Sequence, residues 1–240
     1  MAEPTAEWQQ RVVGRSLRTA TERSVDRGMN LIRAAVTVLN RANGEDVTVQ
    51  EIADEAGQSL RTLYQYFESK DDLLLAVFEE AMRTYAQLIE EAIVDLTDPL
   101  ERLAGAMVAA VRLAELRGTG VDRALARLRV KLSEVQPEKV GGAQSRVTAL
   151  IRELVDEATT TKRIRATDPE AATFMLLSLN AAYITTGTLG NDAGAQRPDA
   201  ATMTSFCLRG LGAELEAGWY DDLASRLQLP TPRGAKRRPS

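Results

Sequence analysis

Residues 47–73 read VTVQEIADEAGQSLRTLYQYFESKDDL and predict two short helices separated by a tight turn. Gly57 lies between them and suits the left-handed conformation in which many helices end. Thr48 is expected to cap the first helix with its hydroxyl, and Glu51, three residues later, to complete a capping box. Ser59 is expected to cap the second helix. Both helices are short, so they should be stable only when packed against neighbours.

The second helix presents two faces of different chemistry. With successive residues about 100° apart, Leu60, Leu63 and Phe67 fall on one side and predict a small core. Arg61 and Gln65 lie one turn apart on the opposite side. Arginine can form two hydrogen bonds with guanine, and glutamine can do so with adenine. Such a pair on a helix face is more often simply solvated, but two capped helices across Gly57, with two tyrosines near this face, favour contact with the major groove of DNA.

Further helices are expected on both sides of this pair. Before it, a helix from about Ser24 to Ala42 is indicated by the apolar stripe Leu31, Ala34, Ala35, Val38 and Leu39. After it, a long fourth helix is expected from Ser69 to about Asp95. Residues 24–70 are thus predicted to form a three-helix head, which the fourth helix joins to a larger body at residues 71–228.

The body is predicted to be helical, since no alternation of apolar and polar residues marks a strand. Asp98-Pro99 and Asp168-Pro169 are expected to start helices, because aspartate caps a helix and proline fits its first turn. The other helices are expected at 121–135, at 143–160 after a break at Pro137 and Gly141-Gly142, and at 199–227 as one long final helix. The fold class is all-α.

The composition of the chain narrows the classes of function that are expected. The chain has no histidine, which is the commonest general acid–base group and a common metal ligand. No catalytic residue, metal ligand or cofactor is therefore assigned. Cys207 is alone and is interpreted as a small buried residue rather than a reactive thiol. No apolar run reaches membrane-helix length and no signal peptide is recognisable, so a cytoplasmic protein is expected.

Charge is unevenly distributed along the chain. Residues 1–70 carry nine basic and ten acidic side chains, and residues 71–228 carry seventeen and twenty-four. Residues 229–240, predicted to be a disordered tail, carry four basic and no acidic ones. The extension at residues 1–23 is either an arm or helix that follows DNA or a solvated helix or disordered leader. Arginines recur in and just after it, at Arg11, Arg15, Arg18, Arg23 and Arg27.

The motif resembles the N-terminal signature of the TetR family of transcriptional regulators, through EIADEAG and SLRTLYQYFESKDDLL, over about residues 25–75. The resemblance implies an all-helical homodimer that binds double-stranded operator DNA, most often a repressor released by a small-molecule ligand. It implies phosphate contacts from Thr48, Ser59, Tyr64, Tyr66 and Lys70. It implies base-facing or groove-lining positions for Gln58, Leu60, Arg61, Thr62 and Gln65.

Two positions depart from the family's pattern. The family commonly has an aliphatic residue where Gln58 lies and a small residue where Arg61 lies. A bulky arginine there either reads a base directly or tilts the helix. The operator sequences of relatives therefore do not transfer to this chain.

For the body, the resemblance implies a dimer interface and an inducer cavity. Dimer contacts are expected from the last two long helices, through Met175, Leu179, Tyr183, Phe206 and Leu211. A cavity for a largely apolar effector is expected within residues 69–160, with walls at Met82, Tyr85, Leu103, Met107, Val111, Leu128 and Val147. A solvated face is the preferred interpretation of Arg112, Arg123, Arg127 and Lys131, although their charge suits an acidic ligand.

The favoured function is a ligand-responsive, DNA-binding regulator in which the fourth helix transmits ligand binding to the head. One alternative is a helical small-molecule-binding or catalytic protein that retains a vestigial head. Another is a structural DNA-binding protein without an inducer, which a filled body would favour.

Overall fold

A computed structural model describes residues 7–42, 45–117, 120–189 and 198–229 of the chain. Within these ranges the chain forms helices and no strand, which confirms the all-α prediction. The helices are α1 (Glu7–Arg41), α2 (Val49–Glu55), α3 (Leu60–Tyr66), α4 (Lys70–Ala92), α5 (Pro99–Arg117), α6 (Gly120–Val135), α7 (Pro137–Thr160), α8 (Pro169–Leu189), α9 (Ala200–Gly210) and α10 (Trp219–Arg226). Each of these described helices is too short or too polar to span a lipid bilayer.

α1 begins at Glu7, well before the start expected near Ser24. The described part of the N-terminal extension is therefore helical, which fits both a helix that follows DNA and a solvated helix. The predicted apolar stripe is buried throughout, with Leu31 and Ala35 fully inaccessible. Arg23 and Arg27 are both exposed on this one helix.

The head is held together by one apolar cluster that reaches beyond its own three helices. Leu31 of α1, Ile52 of α2 and Leu63 of α3 are fully buried in it. Residues from the start of α4 join them, including Phe78 at 1% exposure. α6 and the start of α7 also contribute, through Ala124, Leu125, Leu128, Leu132 and Val140. The head therefore packs against α6 as well as against α4.

The body forms a second cluster around α5. Leu103, Ala106 and Val108 of this helix are fully buried between α4, α7, α8 and α9. Gly105 allows a close approach, since a Cβ built there would lie 2.8 Å from the Leu96 side chain. Cys207 is buried in this cluster and burial raises the pKa of its thiol, in agreement with a packing role.

The predicted break at Gly141-Gly142 is wrong. α7 starts at Pro137, where proline takes the first helical turn, and continues through both glycines. Glycine in a helix interior costs roughly 1 kcal/mol relative to alanine. Burial of Val140 in the head cluster and of Leu150 in the body cluster anchors the helix on both sides of the pair.

The expected single final helix is also wrong, because α9 and α10 are separate. Gly212 adopts a left-handed φ of 77°, and its N–H donates to the Arg209 carbonyl at 2.9 Å. The Ala213 N–H donates to the Leu208 carbonyl at 3.0 Å, which completes a Schellman motif. α10 begins only after Gly218, which also has a positive φ.

Candidate DNA-binding surface and ligand cavity

The start of α2 is fixed by the predicted capping box. The Glu51 N–H donates to Thr48 Oγ1 at 3.2 Å, and Glu51 Oε2 accepts from the Thr48 N–H at 2.7 Å. The same carboxylate oxygen accepts from the Thr48 hydroxyl. These bonds from Thr48 stabilise the ionised carboxylate and hold the pKa of Glu51 below its ordinary value.

The turn between α2 and α3 is fixed by backbone bonds. Gly57 has a φ of 63° and donates its N–H to the Asp54 carbonyl, while the Gln58 N–H donates to the Ala53 carbonyl at 2.9 Å. α1 braces this turn, because Asn30 Nδ2 donates to the Ala56 carbonyl at 2.9 Å. The direction in which α3 leaves the turn is therefore fixed by bonds within the head.

α3 has the two faces that the sequence predicts. Its first turn is capped by Ser59, whose Oγ accepts from the Thr62 N–H at 3.1 Å. Leu63 is fully buried, whereas Tyr64 on the other side is 51% exposed. The remaining inward positions, Leu60 and Phe67, pack on the head cluster, and Arg61 and Gln65 are exposed.

The ten residues assigned to DNA differ in accessibility. The exposed ones are Thr48, Ser59, Arg61, Tyr64 and Gln65, and the half-buried ones are Gln58, Leu60, Thr62, Tyr66 and Lys70. Lys70 Nζ lies 2.5 Å from Asp46 Oδ1, and this bond holds the pKa of Asp46 below its ordinary value. Gln58 Oε1 is buried without a hydrogen-bond partner among the described residues. Arg61, Tyr64 and Gln65 are thus the most accessible side chains of the recognition face.

A cavity of about 810 Å³ lies in the body between α4, α5, α6, α7 and α8. Four of the predicted wall residues line it, namely Met82, Tyr85, Met107 and Val147. The other three do not. Leu103 and Val111 turn into the body cluster, and Leu128 turns into the head cluster, so all three are core residues.

α8 forms a wall that sequence reasoning missed, because the helix was assigned to the dimer interface alone. Thr173, Leu177, Asn180 and Ile184 line the cavity. Their spacing of four, three and four residues defines one helical face, a signal that the sequence did contain. Asn180 is buried, and its Nδ2 donates a long hydrogen bond of 3.4 Å to the Met107 carbonyl.

Most of the cavity wall is apolar, with a few polar groups. Tyr85 donates its hydroxyl to the Ala110 carbonyl at 2.6 Å. The lining arginines are Arg129 and Arg152, neither of which was predicted. The basic residues considered from the sequence lie elsewhere: none of Arg112, Arg123, Arg127 and Lys131 lines the cavity.

The predicted dimer residues fall into two groups. Met175, Leu179 and Phe206 are exposed, by 59%, 44% and 71% respectively. Tyr183 and Leu211 are half-buried against the body cluster, and the Tyr183 hydroxyl donates to the Pro198 carbonyl at 3.1 Å. Phe174, at 71% exposure, was not predicted and adds to the apolar surface of α8.

Comparison with known proteins places the head among regulators. The pattern described as "Bacterial regulatory proteins, tetR family" matches residues 31–77. The regulator HbdR of Aromatoleum sp. (strain CIB) is 37% identical over 82 residues, which are 34% of this chain and 36% of that protein. The fatty acid metabolism regulator protein of Bacillus subtilis (strain 168) is 36% identical over 76 residues, which are 32% of this chain and 39% of that protein. The match thus spans about two fifths of the length of these relatives.

Solved structures extend the likeness to the body. The regulator RolR in complex with resorcinol has a TM-score of 0.64 and 23% identity, and the alignment covers 88% of this chain and 99% of that one. FadR from Bacillus subtilis in complex with stearoyl-CoA has a TM-score of 0.59 and 23% identity, covering 78% and 99%. At this identity the likeness concerns the fold. Residues 31–77 thus match the TetR family of bacterial regulatory proteins, and most of the chain shares the fold of these solved structures.

Proposed function

We propose that the chain is a homodimeric, DNA-binding transcriptional regulator that leaves its operator when a small molecule occupies the cavity, and thus acts as a repressor. Residues 24–70 are proposed as the DNA-binding head and residues 71–228 as the ligand-binding and dimerisation body. The observation that carries the proposal is the exposed polar face of α3, held in a fixed direction by the Gly57 turn.

On DNA, Arg61 and Gln65 are proposed to contact base edges in the major groove. They are one turn apart and exposed, while Leu63 directly behind them is anchored in the core. Tyr64 is exposed beside them and suits a phosphate. Lys70 is also proposed to contact a phosphate. Its ammonium group must then bind the phosphate together with the carboxylate of Asp46, or break its ion pair with that carboxylate.

A second copy is proposed to complete the DNA-binding unit. One short recognition helix reads only a few base pairs, so symmetric dimers bind two half-sites about 34–36 Å apart. The exposed apolar side chains of α8 and α9, including Phe174, Met175 and Phe206, support an interface on these helices. Burial of such side chains from water is the usual source of dimer stability.

The cavity supports a role for a small-molecule effector, because its volume of about 810 Å³ lies in the range of ligand sites. Two buried side chains connect it directly to the head: Phe78 of α4 and Leu125 of α6 line the cavity and belong to the head cluster. Coupling energies between sites are typically ~1–3 kcal/mol. α6 is accordingly proposed as a second route of transmission beside α4.

We propose binding, not catalysis, as the work of this site. The relatives of the head are named regulators, and the cavity wall is mostly apolar. The chain also lacks histidine, which most often supplies acid–base catalysis.

Selection of genomic fragments by the full chain at low salt tests the proposal. The recovered sites are expected to share a two-fold symmetric sequence with half-site centres one helical turn apart. Arg61→Ala is expected to reduce discrimination between recovered and unrelated DNA by ~1–3 kcal/mol. The matched control is Arg83→Ala, which removes an exposed arginine of α4 paired with Glu80. Recovery of no common sequence, or equal losses in both variants, would refute the proposal.

A further inference from the structure

α6 has a head side and a cavity side. Leu128 and Leu132 are buried in the head cluster, whereas Ala126 and Arg129 line the cavity. Arg129 is half-buried and follows Leu128 directly. The packing of the leucines against the head therefore fixes which way the arginine faces.

Arg129 differs from the other basic residues near it, because its guanidinium has no ion pair or hydrogen bond to the residues that the structure describes. Lys131 lies 2.8 Å from an oxygen of Asp71. Arg146 of α7 lies 2.8 Å from an oxygen of Glu90. Within the described part of the chain, Lys131 and Arg146 each have a counter-charge, and the guanidinium of Arg129 has none.

The second arginine in the cavity wall is balanced as well. Arg152 Nε lies 3.3 Å from Asp156 Oδ2, and its Nη1 lies 3.9 Å from Glu170 Oε2. Among the described residues that line the cavity, Glu170 is the one carboxylate, and it lies with Arg152. Within that set, Arg129 is thus the charged side chain without a counter-charge.

The apolar lining of the cavity makes a counter-ion favourable for Arg129. Part of the wall is formed by Phe78, Met82, Tyr85 and Met107, which offer apolar surface. A half-buried guanidinium in the wall of such a cavity loses part of its hydration, which an anion would replace. Its planar fork can bind both oxygens of a carboxylate, and such charge-assisted pairs are roughly twice as strong as neutral hydrogen bonds.

We propose that the effector is an amphipathic organic anion, with its acidic group on Arg129 and its apolar part against the wall of α4 and α5. The proposal rests on the proposed function of the cavity as the effector site and adds the chemical class of the ligand. Neutral or cationic molecules of the same shape should bind less tightly, because they leave the guanidinium unpaired.

Displacement of the neutral fluorophore N-phenyl-1-naphthylamine from the full chain tests this inference. The competitors are laurate, dodecanol and dodecylamine, which share one apolar chain and differ in charge. Laurate is expected to displace the fluorophore at a concentration at least about tenfold below that of dodecanol, with dodecylamine the weakest.

Variants of Arg129 test whether this residue causes the preference for laurate. Arg129→Gln is expected to remove the preference for laurate and leave dodecanol unchanged, whereas Arg129→Lys retains a preference for the anion. The matched control is Arg112→Gln, which makes the same charge change at an exposed position outside the cavity. Thermal unfolding of each variant verifies that it is folded.

The possible results separate the ligand class from the regulatory function. Wild-type protein without a laurate preference, including protein that binds none of the three, overturns the proposal, as does a preference that persists in Arg129→Gln. DNA binding is measured on the same samples without competitor. Protein that binds DNA but lacks the preference refutes only the anion site, and protein that prefers laurate but binds no DNA refutes only the proposed regulation.

Discussion

The head and the body reach a stable fold by different means. In the head, α2 and α3 have seven residues each, and side-chain caps and a left-handed glycine fix their ends. In the body, α4 and α7 have 23 and 24 residues and pack along long apolar faces. Short helices need such caps because they gain few internal hydrogen bonds. The comparison shows that local bonds fix the direction of the short helices in the head, whereas packing along long helices determines the structure of the body.

The two regions also differ in how completely they are filled. Leu31, Ile52 and Leu63 fill the centre of the head and are fully buried. The body instead keeps about 810 Å³ between its helices, although its buried side chains are more numerous. Truncation of a buried side chain should therefore destabilise the head more than the body.

The largest expected effect is that of Leu63→Ala. This change removes a fully buried side chain from the head and should cost ~2–5 kcal/mol of stability. Hydrogen exchange is expected to show loss of protection in α2 and α3 and retention in α5, with loss of DNA binding. The matched body variant is Leu154→Ala, at 1% exposure, which should weaken α5 and α7 instead. Equal loss of protection in both regions would show that head and body unfold as one cooperative unit and would contradict the distinction between them.

A pair of glycine substitutions should have smaller effects of opposite sign. Gly57→Ala in the head forces alanine into a φ of 63° and is expected to destabilise by ~1 kcal/mol. Gly142→Ala in α7 meets open space on a helical backbone and is expected to stabilise by ~0.5–1 kcal/mol. Urea unfolding measures both. Stabilisation by Gly57→Ala would contradict the assigned turn.

The smallest expected effect is the pH dependence contributed by Glu51. Because its pKa is lowered in the folded chain from the ordinary value of 4.5, it stabilises the head at higher pH. That stabilisation is lost as the pH falls below 4.5 through the folded pKa. Glu51→Gln keeps the reciprocal hydrogen bond but does not titrate.

Melting curves between neutral and acidic pH check this expectation. The wild-type melting temperature should exceed that of Glu51→Gln near neutrality and approach it in acid. Glu79→Gln, at an exposed position on α4, provides the control. A constant difference across the pH range would exclude the carboxylate as the cause.

Features set by neighbouring residues were predictable from the sequence, and features set by packing were not. The box of Thr48 and Glu51 follows from spacing alone and was predicted correctly. The continuation of α7 through its paired glycines depends on anchoring by two clusters, which no local pattern reveals. The cavity shows the same limit, because Leu128 and Arg129 are adjacent yet face different regions. Which residue faces the cavity depends on where five helices meet.

The placement of Phe78 and Leu125 in both the cavity wall and the head cluster has a consequence for evolution. A mutation at either position that admits a new effector also alters the packing beneath α1, so it risks the stability of the DNA-binding surface. Arg129 and the cavity-facing residues of α8, such as Leu177, line the cavity without belonging to the head cluster. New ligand specificities should therefore arise more readily at these positions than at the two shared ones.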